Sequence, residues 1–162
     1  ASKLSVSRNG VVHSFSTAGI TRVEAYGFDG NDSIKLTLHT IVAYALGGGG
    51  SDTLIGGDQS DTLTGAGGRD FLYGMAGDDR LNGSDANDRL DGGAGNDRMS
   101  GGNGNDQLVG GIGTDTLHGD AGDDALYAID GTADQLYGDA GTNAAAYDVN
   151  DVLNDALSPI AS

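Results

Sequence analysis

The sequence predicts an all-β solenoid, in which short parallel strands stack coil upon coil. The first observation is a run of nine consecutive nine-residue units from Gly47 to Tyr127. The second is their pattern, because every unit has glycine at position one, aspartate at position six and leucine or methionine at position eight. The third is composition: 30 of 162 residues are glycine, three are phenylalanine and none is tryptophan, so a thick globular core is not expected.

The repeat block, residues 47–127, is continuous and excludes a disordered polar linker. Such a linker has no reason to place one large apolar residue at every ninth position. The fourth position is glycine in seven units, with Gln59 and Ala86 as the exceptions. In order, the units are GGGGSDTLI, GGDQSDTLT, GAGGRDFLY, GMAGDDRLN, GSDANDRLD, GGAGNDRMS, GGNGNDQLV, GGIGTDTLH and GDAGDDALY.

Each unit is predicted to be a turn followed by a three-residue strand. Glycine tolerates positive φ, so the first half of the unit forms a tight turn with carbonyl oxygens pointing inward. Side chains alternate across a strand, so the eighth residue points into the core while its two neighbours point outward. Two units make one coil of 18 residues, and residues 18 apart stack at roughly 4.8 Å, the spacing between strands.

The N-terminal region, residues 1–46, is predicted to be a β-rich cap over one open end of the solenoid. It contains one degenerate unit at 27–35, whose Asp32 precedes Asp52 by 20 residues and extends the same row of aspartates. A turn is expected at Asn9-Gly10. Apolar residues alternate with polar ones around this turn and again before the repeats, at Leu4, Val6, Val11, Phe15, Val42, Tyr44 and Leu46.

The C-terminal region, residues 128–162, is predicted to hold degenerate repeats and a short cap, continuous with the rest of one domain. Its period slips by one residue, since Asp134 follows Asp124 by ten positions. Asn143 then replaces the aspartate of a degraded unit at 138–146. The segment 147–157 is compatible with either a strand or a short helix.

Stacking sorts the repeat aspartates into two rows, one along each turn edge. We call them the Asp52 column and the Asp61 column. Two carboxylates about 5 Å apart repel by roughly 1 kcal/mol in water and by several at an effective dielectric constant near 20. A divalent cation between consecutive coils removes this repulsion, and carboxylate and carbonyl oxygens are hard ligands that suit Ca²⁺ better than Mg²⁺.

The predicted calcium ligands are therefore aspartate carboxylates and turn carbonyls. The carboxylates are those of Asp32, Asp52, Asp61, Asp70, Asp79, Asp88, Asp97, Asp106, Asp115, Asp124 and Asp134. The carbonyls are those of Gly48, Gly50, Gly57, Gly68, Gly77, Gly93, Gly95, Gly102, Gly104, Gly111, Gly113 and Gly122. Gln59 and Ala86 predict either strained turns or turns of another shape, which leaves open whether those turns hold calcium.

These units resemble the RTX (repeats-in-toxin) family, whose unit is G-G-x-G-x-D-x-U-x with U apolar. The resemblance covers half of the chain strictly and most of the rest loosely. It implies a right-handed parallel β-roll that binds several Ca²⁺ ions, about seven to nine here.

Charge and missing motifs narrow the function. The net charge of -16 disfavours nucleic acid and anionic membranes as partners and favours cations. No apolar stretch approaches the 18 residues of a membrane span. The chain has no HExxH, no GxSxG, no phosphate-binding glycine loop followed by Lys-Ser or Lys-Thr, and no EF-hand loop. We therefore expect no enzymatic activity, and a structural or solvated role for His13, His39 and His118.

The expected function is that of a non-catalytic module of a secreted protein, which folds outside the cell when calcium binds. The apolar core is thin, so folding and metal binding are expected to be one event. Self-association or attachment to a larger secreted protein is also expected. The alternative is a structural subunit of an extracellular assembly, such as a surface layer, a filament or an adhesin.

Overall fold

The computed structural model describes residues 3–8, 11–16, 19, 21–36, 39–155 and 157–159, and in them the chain forms eighteen strands and no helix. None of this described part could therefore cross a membrane as an apolar helix. The first nine strands are β1 Lys3–Arg8, β2 Val11–Ser16, β3 Arg22–Asp29, β4 Ser33–Lys35, β5 Val42–Gly49, β6 Thr53–Ile55, β7 Thr62–Gly67, β8 Phe71–Ala76 and β9 Arg80–Asp85. The others are β10 Arg89–Ala94, β11 Arg98–Asn103, β12 Gln107–Ile112, β13 Thr116–Ala121, β14 Ala125–Ala128, β15 Gln135–Tyr137, β16 Ala144–Tyr147, β17 Val152–Leu153 and β18 Ser158–Pro159.

From β3 onward the strands alternate between two sheets, so that the chain winds through about seven turns. The even-numbered strands from β4 to β18 lie in a ten-stranded sheet together with β1 and β2. The odd-numbered strands from β3 to β17 form an eight-stranded sheet. Within the repeat block every neighbour in a sheet is parallel and 18 residues away, as in the pairing of Leu90 with Leu108. The predicted all-β parallel solenoid is confirmed, while its handedness stays a prediction.

Except for β6, the strands of the repeat block are longer than the three residues predicted for each unit. Strand β10, Arg89–Ala94, contains the last three residues of one unit and the first three residues of the next unit. The ladder continues because the first glycine of a unit still pairs: the Gly56 amide donates to the Tyr73 carbonyl at 2.8 Å. The turn proper is therefore confined to positions four to six.

The core is a double row of side chains between the sheets. Every eighth-position residue of the repeat block is buried, and most of them are completely inaccessible. Parallel register stacks identical side chains, so that Leu54 lies beside Leu72 in one sheet and Leu63 beside Leu81 in the other. Beyond the repeats the rows continue through Ile34, Leu136 and Ala145 at the equivalent positions of neighbouring coils.

At the N-terminal end, β1 pairs antiparallel with both β2 and β4. The expected turn at Asn9-Gly10 lies outside the described residues. Strands β3 and β5 pair in parallel and continue into β7, so Arg22–Asp29 and Val42–Gly49 stack in register with the repeats. The division into cap, repeat block and C-terminal cap stays a prediction. In the segment 147–157, the described residues contain the end of β16 and the strand β17, and no helix.

Candidate metal-binding turns

The two columns of aspartates lie at the turns as the 18-residue period predicts. Each aspartate after Asp32 accepts, at Oδ1, a hydrogen bond from a backbone amide one coil earlier, and except at Asp61 the donor is the aspartate at the equivalent position. In the Asp52 column the Asp70 amide donates to Asp88 at 2.7 Å, and in the Asp61 column the Asp79 amide donates to Asp97 at 2.8 Å. Asp32 joins the head of the Asp52 column, since its amide donates to Asp52 at 2.6 Å. These bonds fix one oxygen of each carboxylate except that of Asp32, whose two oxygens are both buried without a partner.

The second carboxylate oxygen has no partner at ten of the eleven predicted aspartates. These Oδ2 atoms are inaccessible to solvent and make no hydrogen bond. A buried carboxylate oxygen without a donor is costly, so such atoms are rare unless an ion or other ligand satisfies them. The ten residues are Asp32, Asp52, Asp70, Asp79, Asp88, Asp97, Asp106, Asp115, Asp124 and Asp134.

The first glycine of each unit packs tightly against the Oδ2 atom of the aspartate in the same unit. A Cβ atom added to Gly92 would lie within 3.0 Å of Asp97 Oδ2 and of the Gly110 carbonyl oxygen on the next coil. The same clash would occur at Gly47, against Asp52 Oδ2 and the Gly65 carbonyl. These first-position carbonyls were absent from the predicted ligand set, although the invariance of glycine at that position in all nine units was the available signal. Only glycine fits at this position without displacing these oxygens.

The carbonyls predicted as ligands stack along the turn edges. A Cβ added at Gly111 or Gly113 would meet the carbonyl oxygen of Gly93 or Gly95, respectively, on the preceding coil. All but one of the twelve predicted glycines have positive φ, as the turn argument requires, and Gly57 is the exception. Each turn edge thus carries a row of carbonyl oxygens beside its row of carboxylates. Whether these oxygens bind metal stays a prediction.

The two turns without glycine at position four differ from each other. Ala86 adopts φ of 77°, so it copies the glycine conformation, and Asp88 keeps its unpartnered Oδ2. Gln59 does not adopt positive φ, and this turn has another shape. As a result the Gly57 amide donates to Asp61 Oδ2 at 2.6 Å, while the Ala43 amide donates to Oδ1 at 2.7 Å. Asp61 is the one predicted ligand whose two oxygens both have protein donors.

The flanking acids of these two turns make ordinary surface contacts. Asp58 lies against the His39 ring, where Asp58 Oδ2 contacts His39 Nδ1. Asp85 is exposed and accepts a hydrogen bond from the Asn103 side-chain amide at 2.8 Å.

Burial raises the pKa of the ten column carboxyls from Asp52 to Asp134. Loss of hydration is the largest cause at each of these ten, and neighbouring carboxylates raise the pKa further. The pKa of Asp79 rises to about 8, that of Asp88 and of Asp115 to about 7, and that of Asp70 to about 6. Among the described residues, no lysine or arginine forms an ion pair with a column aspartate. The columns therefore lack an internal counter-charge.

Sequence reasoning missed a second ladder of side chains at position five. At this position the side-chain oxygen of an asparagine or aspartate accepts a hydrogen bond from a backbone amide of the following coil, whereas the aspartates at position six accept from the preceding coil. The Asn105 amide donates to Asn87 Oδ1 at 2.9 Å, and the Thr114 amide donates to Asn96 Oδ1 at 2.9 Å. It also missed the C-terminal end of the Asp61 column, where Asp151 Oδ1 accepts from the Asp134 amide at 3.1 Å. The frequent Asn and Asp at position five were the available signal.

The donor set fits a hard divalent cation. It consists of carboxylate and carbonyl oxygens only, repeated from coil to coil, and ten of the eleven aspartates have an unpartnered Oδ2 atom. Calcium prefers six to eight such oxygens in flexible geometry. The fold and the turns together define a cation-binding β-solenoid.

Comparison with known families agrees with this class. The sequence profile of the RTX calcium-binding nonapeptide repeat matches the chain in four overlapping copies, at residues 46–81, 73–108, 100–132 and 109–144. The chain therefore belongs to the family of proteins with RTX calcium-binding nonapeptide repeats, as the resemblance predicted. No curated protein sequence gives a significant match.

Proposed function

We propose that this chain is a calcium-responsive module whose turns hold several Ca²⁺ ions between successive coils. The observation that carries the proposal is the set of ten buried Oδ2 atoms without a hydrogen-bond donor. At Asp52, Asp79 and Asp97, this oxygen and a carbonyl oxygen of the next coil both lie within 3.0 Å of the position that a Cβ atom would take on the first glycine of the unit. The ligands are the ten aspartates of this set together with the turn carbonyls. About seven to nine ions correspond to the spaces between these coils.

The proposal includes folding upon metal binding outside the cell. The acidic columns have no lysine or arginine partner in the described part of the chain, so without a cation each added coil stacks carboxylate on carboxylate. The apolar core supplies one large side chain per unit to offset that repulsion and the entropy of ordering. Millimolar calcium is available outside cells, so export provides the trigger, and the module acts there as a non-catalytic part of a secreted protein.

Circular dichroism during a calcium titration tests this function. In EDTA the chain should be largely unfolded, and calcium should induce β structure with a midpoint in the range of roughly 10⁻⁴–10⁻³ M. Magnesium at equal concentration should do much less, because it demands a smaller octahedral site and keeps its waters. An equally folded chain in EDTA would contradict metal-driven folding.

A second function, as a structural subunit of an extracellular assembly, is favoured by the edge strand β3. Among the described strands, β3 ends the eight-stranded sheet and has a hydrogen-bonded neighbour on one side only. It spans eight residues, and Tyr26 on it is exposed. The end strand of a sheet is a template for pairing with another chain. Sedimentation velocity in calcium distinguishes an assembling subunit from a monomeric module.

A further inference from the structure

A cluster of His118, Asp120 and Asp139 lies at partly exposed positions on β13 and on the coil that follows it. Each residue offers one ligand atom, and these atoms all lie within 4.8 Å of one another. His118 and Asp120 are two residues apart in β13 and therefore project from the same face of the strand. Asp139 comes from the next coil, where Tyr137 pairs with His118 and Ala140 pairs with Ala121.

The structure holds two of these side chains in place. The His118 ring stacks on Tyr137 with 4.2 Å between ring centroids and 7° between planes, and its Nδ1 lies 3.1 Å from Asp139 Oδ2. Asp120 Oδ2 accepts a short hydrogen bond from the Ser100 hydroxyl. Partners of this kind orient metal ligands before the metal arrives.

The cluster is open to solvent and has excess negative charge. The side chains of His118 and Asp139 are 40% and 37% exposed, and His118 also lines a groove of about 490 Å³ that includes Ser100. In the described part of the chain, neither carboxylate forms an ion pair with a lysine or an arginine. An ion can therefore reach the cluster through this groove, which Arg80 and Arg98 also line.

We propose that His118, Asp120 and Asp139 bind a first-row transition ion of the Zn²⁺ type, at a site chemically distinct from the calcium turns. Calcium takes oxygen ligands, whereas an imidazole nitrogen favours zinc, copper or nickel. Zinc bonds of about 2.0–2.2 Å place tetrahedral ligand atoms about 3.4 Å apart. Small side-chain rotations close the cluster to that size, with water completing the coordination.

The chain contains a matched pair that lacks the third ligand. His39 Nδ1 contacts Asp58 Oδ2 across a spacing of 19 residues, and both side chains are exposed. No second acid joins that pair in the metal-ligand clusters of the described residues. His39 therefore tests whether a single histidine–aspartate contact is enough to hold the ion.

The experiment is isothermal titration of Zn²⁺ into the calcium-saturated, folded chain. We expect one Zn²⁺ site with micromolar affinity, weakened at least tenfold by His118→Ala and also weakened by Asp139→Asn, whereas His39→Ala leaves it unchanged. Circular dichroism in calcium checks that each variant is folded. Equal zinc affinity in the wild type and His118→Ala, or equal losses in His118→Ala and His39→Ala, would overturn the site.

Nuclear magnetic resonance of the wild type gives a test that needs no variant. Stoichiometric Zn²⁺ added in calcium should shift the imidazole nitrogen resonances of His118 and leave those of His39 in place. Unchanged His118 resonances at saturating zinc would overturn the proposal. The calcium-dependent folding is measured separately, so the failure of either proposal is distinguishable from that of the other.

Discussion

At the scale of the residue, the two carboxylate oxygens of a repeat aspartate differ in their hydrogen bonding. Oδ1 accepts an amide hydrogen from the previous coil, which sets the rotamer, and that leaves Oδ2 buried and unpartnered. The 18-residue spacing predicted which aspartates stack. It did not predict the division between the two oxygens, because that depends on the turn shape, as the doubly bonded Asp61 demonstrates.

Asp61 and Asp79 are neighbours in one column and give a matched pair of substitutions. Asp79→Asn removes a free anionic oxygen, so it should lose at least one bound Ca²⁺ and raise the calcium concentration at the folding midpoint several-fold. Asp61→Asn loses the hydrogen bond from Gly57, worth about 1 kcal/mol, and should keep the calcium stoichiometry. Calcium titration by calorimetry and circular dichroism measures both. Equal loss of ions in the two variants would contradict the proposed ligand set.

At the scale of the element, turns and strands were predictable to different degrees. The strands followed from the single apolar residue per unit, but their true length did not, since backbone pairing continues through glycines that carry no pattern. The one-residue insertion before Asp134 does not shift the coils that follow it. Asp134 is again in register with its column and accepts a hydrogen bond from the Asp115 amide at 2.7 Å. For the two turns with Gln59 or Ala86 in place of glycine at position four, the sequence left open whether the turn is strained or has another shape. The structure shows a left-handed Ala86 in one turn and a turn of another shape at Gln59.

The two exceptional turns predict opposite effects of restoring glycine. Ala86 has positive φ and is exposed, so Ala86→Gly relieves a left-handed conformation and should raise the free energy of unfolding by about 1 kcal/mol. Gln59 lacks positive φ, so Gln59→Gly only adds freedom to the unfolded chain and should lower it by about 0.5–1 kcal/mol. Urea unfolding in saturating calcium measures both values. A gain for Gln59→Gly equal to that of Ala86→Gly would show that the two turns share one conformation.

At the scale of the whole molecule, the roll is a stack of weakly stable layers that share buried charge. A solenoid coil contacts only its neighbours, so its stability is close to a sum of coil and interface contributions. The repeat pattern predicted the stack, the rows of leucine and the charge columns from the sequence alone. It did not predict the outer cluster of His118, Asp120 and Asp139, because the three residues come from different units. His118 is the ninth residue of one unit, Asp120 is the second residue of the following unit on the same strand, and Asp139 lies on the next coil.

The buried columns also determine how stability responds to pH when calcium is removed. Each raised pKa means that the folded chain binds protons more tightly than the unfolded chain, whose aspartates titrate near their ordinary value of 3.8. The resulting stabilisation is complete below about pH 4. It is lost as the pH rises through the folded-state pKa values, about 6 for Asp70 and Asp97, 7 for Asp88 and Asp115, and 8 for Asp79.

The metal-free chain should therefore contain more β structure at pH 5 than at pH 8, because protons replace the missing cations on the columns. In calcium the dependence should reverse, since metal ligands must be deprotonated and protons compete for the same oxygens. Circular dichroism in EDTA, and calcium midpoints measured at pH 5, 7 and 8, test both directions. Asp79→Asn is the control, because it removes the carboxyl with a pKa of about 8 and should flatten the metal-free profile between pH 7 and 8. Metal-free β structure that increases from pH 5 to pH 8 would mean that carboxylate burial does not limit the folding of this roll.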